Sequence, residues 1–328
     1  MSTRKTGFLR AARLEQETVT LGAVVLLALV LSIVSTSFLN GNNLASLQTA
    51  IAPNLIVATG MMTLFMIGRF DLSVGAVMGL AGIATAMAFS AGAPVWLAMA
   101  AGLAVGVGIG AFNAAFVAVL GINHLIVTLG VLYMTRGVIE VVMSGQKLAG
   151  FTGFPEGFGT LGRFEMGGLY GLFAFALLLI IGMEAFFRLS AGGRRLLFLG
   201  GSPQAAASIG IDKRKVEFWC FVLSGFLAAL AGILMTARVG MANRYMGEGL
   251  EMQIFIACLI GGGSIAGGTT LSTFCPFRPS GSRSSSVRFW FWSCRLTGSW
   301  CCARVADLGA IFLACSRCGA WASATDVF

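Results

Sequence analysis

Apolar residues arrive in long unbroken windows, and the polar positions gather in short stretches between them. The windows run from Val19 to Phe38, Leu44 to Ile67, Ser73 to Ala91, Pro94 to Leu120, Leu125 to Met143, Gly168 to Phe187, Val216 to Ala237 and from Met252 onward. Each of the first seven is near the roughly 20 residues a helix needs to cross a hydrocarbon core. The pattern predicts an all-α, polytopic membrane protein with seven clear spans and the beginning of an eighth. The longest polar interruption, Arg188 to Glu217, contains Gly200 to Gly210. There Ser202 stands at a helix N-cap, Pro203 at the first helical position, Gln204, Ala205, Ala206, Ala207 and Ser208 follow, and Gly210 stops the helix. A helix of two turns is marginal alone in water, so neighbouring spans or a partner must hold it.

Composition agrees with this solvent: 57% hydrophobic and 11% charged residues leave too few charges to coat a soluble globule of 328 residues. The basic start Arg4, Lys5, Arg10 and Arg13 leads directly into a full-length span, without a small-residue cleavage pattern. Positive charge is retained on the cytoplasmic side. With the N-terminus inside, eleven Lys and Arg residues (those four, Arg69, Arg188, Arg194, Arg195, Lys213, Arg214, Lys215) fall on inner segments. Four (Lys147, Arg163, Arg238, Arg244) fall outside. The Ser202 to Gly210 helix is then cytoplasmic, where a partner would be a cytosolic protein. Gly102, Gly106 and Gly110 on the fourth span, with Ala228 and Gly232 on the seventh, recur at four-residue spacing and predict close helix packing.

Polar side chains within the spans are costly unless they face protein or water. Asp71, Asn113, Thr128, Glu184 and the pair Arg136 and Glu140 are of this kind, the last two neutralising each other at i and i+4. Asp71 or Ser73 serves either as a cap for the next helix or beside a transport path. The lone histidine, His124, marks no site by itself. The spacing contains no phosphate-binding GxxxxGK[ST] loop, no HExxH and no metal-ligand cluster before residue 270. The chain is therefore read as a transport subunit that binds no cofactor and hydrolyses no ATP.

Gly68 to Gly75 resembles the G-G-x-D-L-S-V-G signature of the permease subunits of bacterial ABC importers for monosaccharides. Four further blocks agree in order: Leu125 to Gly130 with Arg136-Gly137; Gly193-Arg194 through Gly210-Ile211; Ser224-Gly225 with Ala228-Ala229 and Ala231-Gly232; and Gly249 to Glu251 with Ile260 to Gly268. The resemblance implies ten spans, about eight of them recognisable here, in the bacterial cytoplasmic membrane. It makes Ser202 to Gly210 the coupling helix that docks on a separate ATP-binding subunit, where ATP and Mg²⁺ are held. It places Val239 to Leu250 outside, where an extracellular sugar-binding protein docks, with Arg244, Glu248 and Glu251 as candidate contacts. A second permease copy or paralogue completes the path, for which Asp71, Ser73, Asn113 and Thr128 are candidates suited to a neutral sugar or polyol. Arg69 stands where the signature has Gly, and Ser202 replaces the usual Asn while keeping the cap. The alternatives are a branched-chain amino-acid permease and a gradient-driven transporter, for which no internal repeat is evident.

The organisation expected is a cytoplasmic tail at 1–18, a permease domain at 19–268 with its coupling loop at 188–215, and an aberrant tail at 269–328. From Leu271 the text turns rich in Ser, Arg, Cys and Trp. Arg283, Arg288, Arg295 and Arg304 break every apolar window. A shift of reading frame near Gly268 to Thr270 explains this. Six arginines and two aspartates of the tail account for four of the nine net positive charges, so nucleic-acid binding need not be invoked. Cys315 and Cys318 have no companion pair that would make a zinc site.

Overall fold

The computed structural model describes residues 16–35, 38–145, 150–261 and 263. Its helices are α1 (Gln16–Val34), α2 (Gly41–Met66), α3 (Val74–Ser90), α4 (Val95–Ala114, continued by a π turn at Ala115–Val119) and α5 (His124–Met143). There follow α6 (Glu156–Arg163), α7 (Gly171–Leu189), α8 (Ala191–Gly201), α9 (Pro203–Ser208), α10 (Lys213–Val239) and α11 (Leu250–Ile260). Strands are confined to two-residue pairs. β1 (Phe151–Thr152) joins β4 (Met241–Ala242), and β2 (Glu165–Met166) joins β3 (Leu169–Tyr170). The all-α reading holds, and each apolar window became a helix. Of these, α2, α4 with its π turn, α5, α7 and α10 are long and apolar enough to cross a membrane. The apolar part of α1 and helices α3 and α11 are shorter. The basic N-terminal residues, Lys147 and the 269–328 tail lie outside the described residues.

Helix α10 is the hub. It runs antiparallel to α4: Gly102 faces Ile233, Gly106 faces Ala229 and Gly225, and Gly110 faces Phe221 and Gly225. A Cβ at Gly106 would overlap Gly225 carbonyl, and one at Gly225 would overlap Gly106 carbonyl, so the two backbones approach as closely as the four-residue spacing predicts. Helix α2 is also antiparallel to α10, with Gly60 against Ser224 and Leu227 and Arg238 Nη1 donating to Thr49 carbonyl at 2.7 Å. Helix α3 is parallel to it, with Met78 against Gly232 and Gly82 against Thr236.

These pairings locate the ends of α3. Met78, four residues after the helix begins, lies beside Gly232, well past the midpoint of the 27-residue α10. Residues 67–73, which link α2 to α3, therefore run from the bundle end, where Arg69 meets Glu217, into its interior. Phe70, Asp71, Leu72 and Ser73 are all buried. Non-helical backbone at such depth is tolerated only when protein or a water-filled cavity surrounds it.

The segment after α10 corrects a sequence expectation in the same way. Gly240 lies beside Arg163, and the chain then turns back along α3: Met246 lies against Gly82 and Gly79, and Gly247 against Gly75. Met246 and Gly247 are buried. Val239 to Leu250 is thus a descending stretch packed on α3, not a loop lying wholly outside. The apolar windows on either side cannot reveal this, because a short polar link reads alike whether it bulges outward or folds inward.

Candidate functional site

The 188–215 loop, the candidate for coupling, folds locally as its residues dictate. Ser202 Oγ accepts from Ala205 N–H at 3.3 Å, with Pro203 in the first turn of α9. Ser208 Oγ donates to Gln204 carbonyl. Gly210, at φ +76°, closes the helix, and the Gly210 and Ile211 amides donate to the carbonyls of Ala207 and Ala206. Only Ala206 is buried, where α9 packs on α8 and α10. Pro203, Gln204, Ala205 and Ser208 are exposed, and the neighbouring Ile209 is 63% exposed.

Three of the four path candidates meet. Asp71 Oδ1 accepts from Ser73 N–H at 2.8 Å and from Ser73 Oγ at 2.6 Å. Asn113 Nδ2, on the last turn of α4 before its π turn, donates to Ser73 Oγ at 2.9 Å and lies 3.5 Å from both Asp71 oxygens. All three are fully buried, and in this polar triad Asn113 Oδ1 has no hydrogen bond among the described residues. The N-cap of α3 is Ser73, whose side chain makes no capping bond; the Asp71 carboxylate takes its amide instead. Thr128 stands apart. It too is fully buried, and its hydroxyl is turned back to His124 carbonyl on its own helix.

The three residues expected at an outer docking loop are separated. Glu248 is exposed. Arg244 Nη1 pairs with Glu140 at 3.2 Å, and its Nη2 donates to Met143 carbonyl. Glu251 is on the first turn of α11, 3.9 Å from Arg136 Nη2 and against Gly75. Arg136 and Glu140 accordingly do not neutralise each other: each pairs with a partner on the descending segment or the helix it leads into. Arg136 also donates to Met246 carbonyl at 3.1 Å. Neither Arg136 Nη2 nor Glu251 Oε2 has a hydrogen bond among the described residues. Glu184 does find its neighbour on the helix, Arg188.

Sequence reasoning passed over two further groupings. At the bundle end beside α9, Arg69 Nε pairs with Glu217 Oε1 at 3.1 Å and its Nη1 donates to His124 Nδ1 at 3.3 Å. The available signal was Glu217 itself, a carboxylate one turn into a 27-residue span. At the opposite end a cleft of about 310 Å³ is lined by Ser46, Thr49, Tyr170, Arg163 and Arg238 among others. Arg163 there donates to Arg238 carbonyl.

Set beside known proteins, residues 43–275 match the family described as branched-chain amino acid transport system / permease component. The fructose import permease protein of Bifidobacterium longum is 35% identical over 238 residues, 71% of this chain and 66% of that one, so the chain spans just under two thirds of that relative. The ribose import permease protein of Escherichia coli K12 is 33% identical over 264 residues, 80% of this chain and 81% of that one. An autoinducer 2 import system permease protein of Yersinia enterocolitica is 30% identical over 250 residues, 75% and 68% of the two chains. No solved structure matches. With the family model covering most of the sequence, and a bundle of membrane-length helices to go with it, the chain belongs to this family of transport-system permease components.

Proposed function

We propose that the chain is the membrane-spanning subunit of an ATP-driven, binding-protein-dependent importer that carries a monosaccharide or polyol into the cytoplasm. The observation that carries this reading is α9: a capped helix of six residues with one buried side chain and an exposed face of small residues. It needs a partner to cover it, and an ATP-binding subunit holding ATP and Mg²⁺ is that partner. The names of the ribose and fructose import permeases support a sugar over a branched-chain amino acid.

In this reading the N-terminus and α9 are cytoplasmic, a sugar-binding protein approaches the other end, and a second copy or paralogue completes the path. Closure of the ATP-binding subunits displaces α9 and, through the short link 209–212, α10, giving alternating access. Asp71, Ser73 and Asn113 serve the path by fixing the buried break between α2 and α3. Buried breaks are also a mark of gradient-driven transporters, so energy source is tested directly.

The test is uptake into vesicles holding the chain with its ATP-binding subunits and binding protein, offered ribose, fructose and leucine with ATP or with an ion gradient alone. ATP-dependent uptake of a sugar is expected, and leucine uptake or gradient-driven uptake would overturn the proposal. The docking assignment has its own variant. Ala206 faces the bundle, so Ala205→Asp is the cleaner substitution: it places charge on the exposed face and should abolish stimulated ATP hydrolysis while leaving insertion intact. The 269–328 tail is kept apart from this function. Reading the gene in the other two frames from the Gly268 codon should reveal two apolar windows of about 20 residues, and their absence would sink the frameshift.

A further inference from the structure

Arg69 is the one residue of the Gly68 to Gly75 signature that departs from the resembled pattern, and the structure gives it a specific set of partners. It lies in the non-helical stretch that leaves α2, where its amide donates to Leu64 carbonyl at 2.9 Å. Its guanidinium spans two other elements. Nε meets Glu217 Oε1 at 3.1 Å, and Nη1 donates to Nδ1 of His124, the first residue of α5, at 3.3 Å. Glu217 has 4% of its side chain exposed, Arg69 27%. The next residue, Phe70, stands edge-on to the same imidazole at 4.5 Å between ring centres and also meets Phe255 of α11 at 5.1 Å. Asp71, with its buried triad, follows at once.

Glu217 belongs to the second turn of α10, and four residues, 209–212, separate that helix from α9. The link is tight. Its Gly210 and Ile211 amides donate to the Ala207 and Ala206 carbonyls of α9, and Asp212 Oδ1 caps α10 by accepting from Arg214 N–H at 3.0 Å. A shift of α9 therefore cannot be absorbed in slack chain before it reaches Glu217. We propose that Arg69 is a positioning residue for energy coupling: it clasps the start of α10 to the 67–73 break and to the start of α5, so displacement of the coupling helix moves the buried Asp71 segment. This rests on the function proposed above, and Arg69 touches no substrate in it.

The experiment is hydrogen–deuterium exchange by mass spectrometry on the full chain assembled with its ATP-binding subunits in lipid nanodiscs, nucleotide-free and with ATP, Mg²⁺ and vanadate. In the wild type, nucleotide is expected to change exchange at 202–210 and also at 67–73. Arg69→Gln should lose the change at 67–73 and keep the one at 202–210. Arg69→Lys, which retains a cation for Glu217, should restore it. Glu217→Gln approaches the clasp from α10 and should behave as Arg69→Gln does; it serves if that variant fails to assemble. A purely structural Arg69 would alter exchange equally in both nucleotide states. A change at 67–73 that persists without Arg69, or a wild type that responds at 202–210 alone, overturns the clasp and leaves the proposed function standing. No response at 202–210 in the wild type overturns the docking of α9, and the clasp with it.

Discussion

Two described stretches leave the helical state inside the bundle, 67–73 and 240–249, and they hold their polar groups in opposite ways. The first is held by short-range bonds: Asp71 accepts from the Ser73 amide and hydroxyl, with one amide, Asn113, arriving from α4. The second, with the start of α11 that follows it, is held by long side chains from α5, with Arg136 reaching Met246 carbonyl and Glu251, and Glu140 reaching Arg244. The short-range arrangement fixes one backbone geometry, whereas long side chains that pair at 3.2 and 3.9 Å can follow a shift by changing rotamer. The descending stretch is therefore the more adjustable of the two, and it rests on the first turn of α3, directly after the more rigid one, where Gly247 meets Gly75.

That contact gives the largest expected effect. Gly247 has φ +75°, and a Cβ there would overlap Gly75 carbonyl. Gly247→Val therefore combines a left-handed backbone penalty of roughly 1–2 kcal/mol with overpacking of roughly 1–3 kcal/mol. Size-exclusion chromatography after heating in detergent should show a much lower midpoint than wild type. Gly108→Ala, with open space around it, should not move. An unchanged midpoint for Gly247→Val would mean the descending stretch does not seat on the start of α3.

Next in size is Asp71→Leu. It strips an acceptor from the Ser73 amide and hydroxyl and leaves Asn113 facing an apolar group, at about 1–3 kcal/mol for each buried orphan. Melting and sugar uptake should both fall, while Asp71→Asn, which keeps a carbonyl oxygen for the Ser73 amide, should lose less of each. If Leu and Asn behave alike, the first stretch is not held by the carboxylate's short bonds and the contrast between the two stretches fails.

How much of this was legible beforehand depended on range. The cap at Ser202, the stop at Gly210 and the glycine face of α4 are local or periodic features, and the residues themselves specify them. Asp71 was conspicuous as a charge among apolar neighbours, but its meeting with Asn113 joins residues 42 apart, and no spacing announces that. Arg136 and Glu140 show the opposite failure. The i and i+4 rule offered an inexpensive pair, yet tertiary partners more than a hundred residues away took both. The inward course of 240–249 was hidden for a similar reason, since Gly75, Gly79 and Gly82 make room for it on a different helix.

Glu251→Gln tests the adjustable stretch at intermediate size. The Arg136 to Glu251 pair is 3.9 Å apart with 19% and 13% of the side chains exposed, and neither facing atom makes a hydrogen bond. Neutralising the acid leaves Arg136 with its bond to Met246 carbonyl. The loss should stay below the roughly 3–5 kcal/mol of breaking a fully buried pair, so the melting midpoint should fall less than for Asp71→Leu. A larger fall would make the second stretch the rigid one.

Arg244→Gln should have the smallest effect, and it separates the two arrangements by their response to salt. Glu140 is 59% exposed on its side chain and Arg244 28%, so water competes for both. Exposed pairs contribute about 0–1 kcal/mol, and ions at physiological strength screen over roughly 8 Å. The midpoint of Arg244→Gln should lie slightly below wild type in low salt and merge with it as salt is raised. The deficit of Asp71→Leu should persist at every salt concentration, because lost short hydrogen bonds inside a fully buried triad are not screened. A salt-independent deficit for Arg244→Gln would show that its bond to Met143 carbonyl, and not the ion pair, holds the descending stretch to α5.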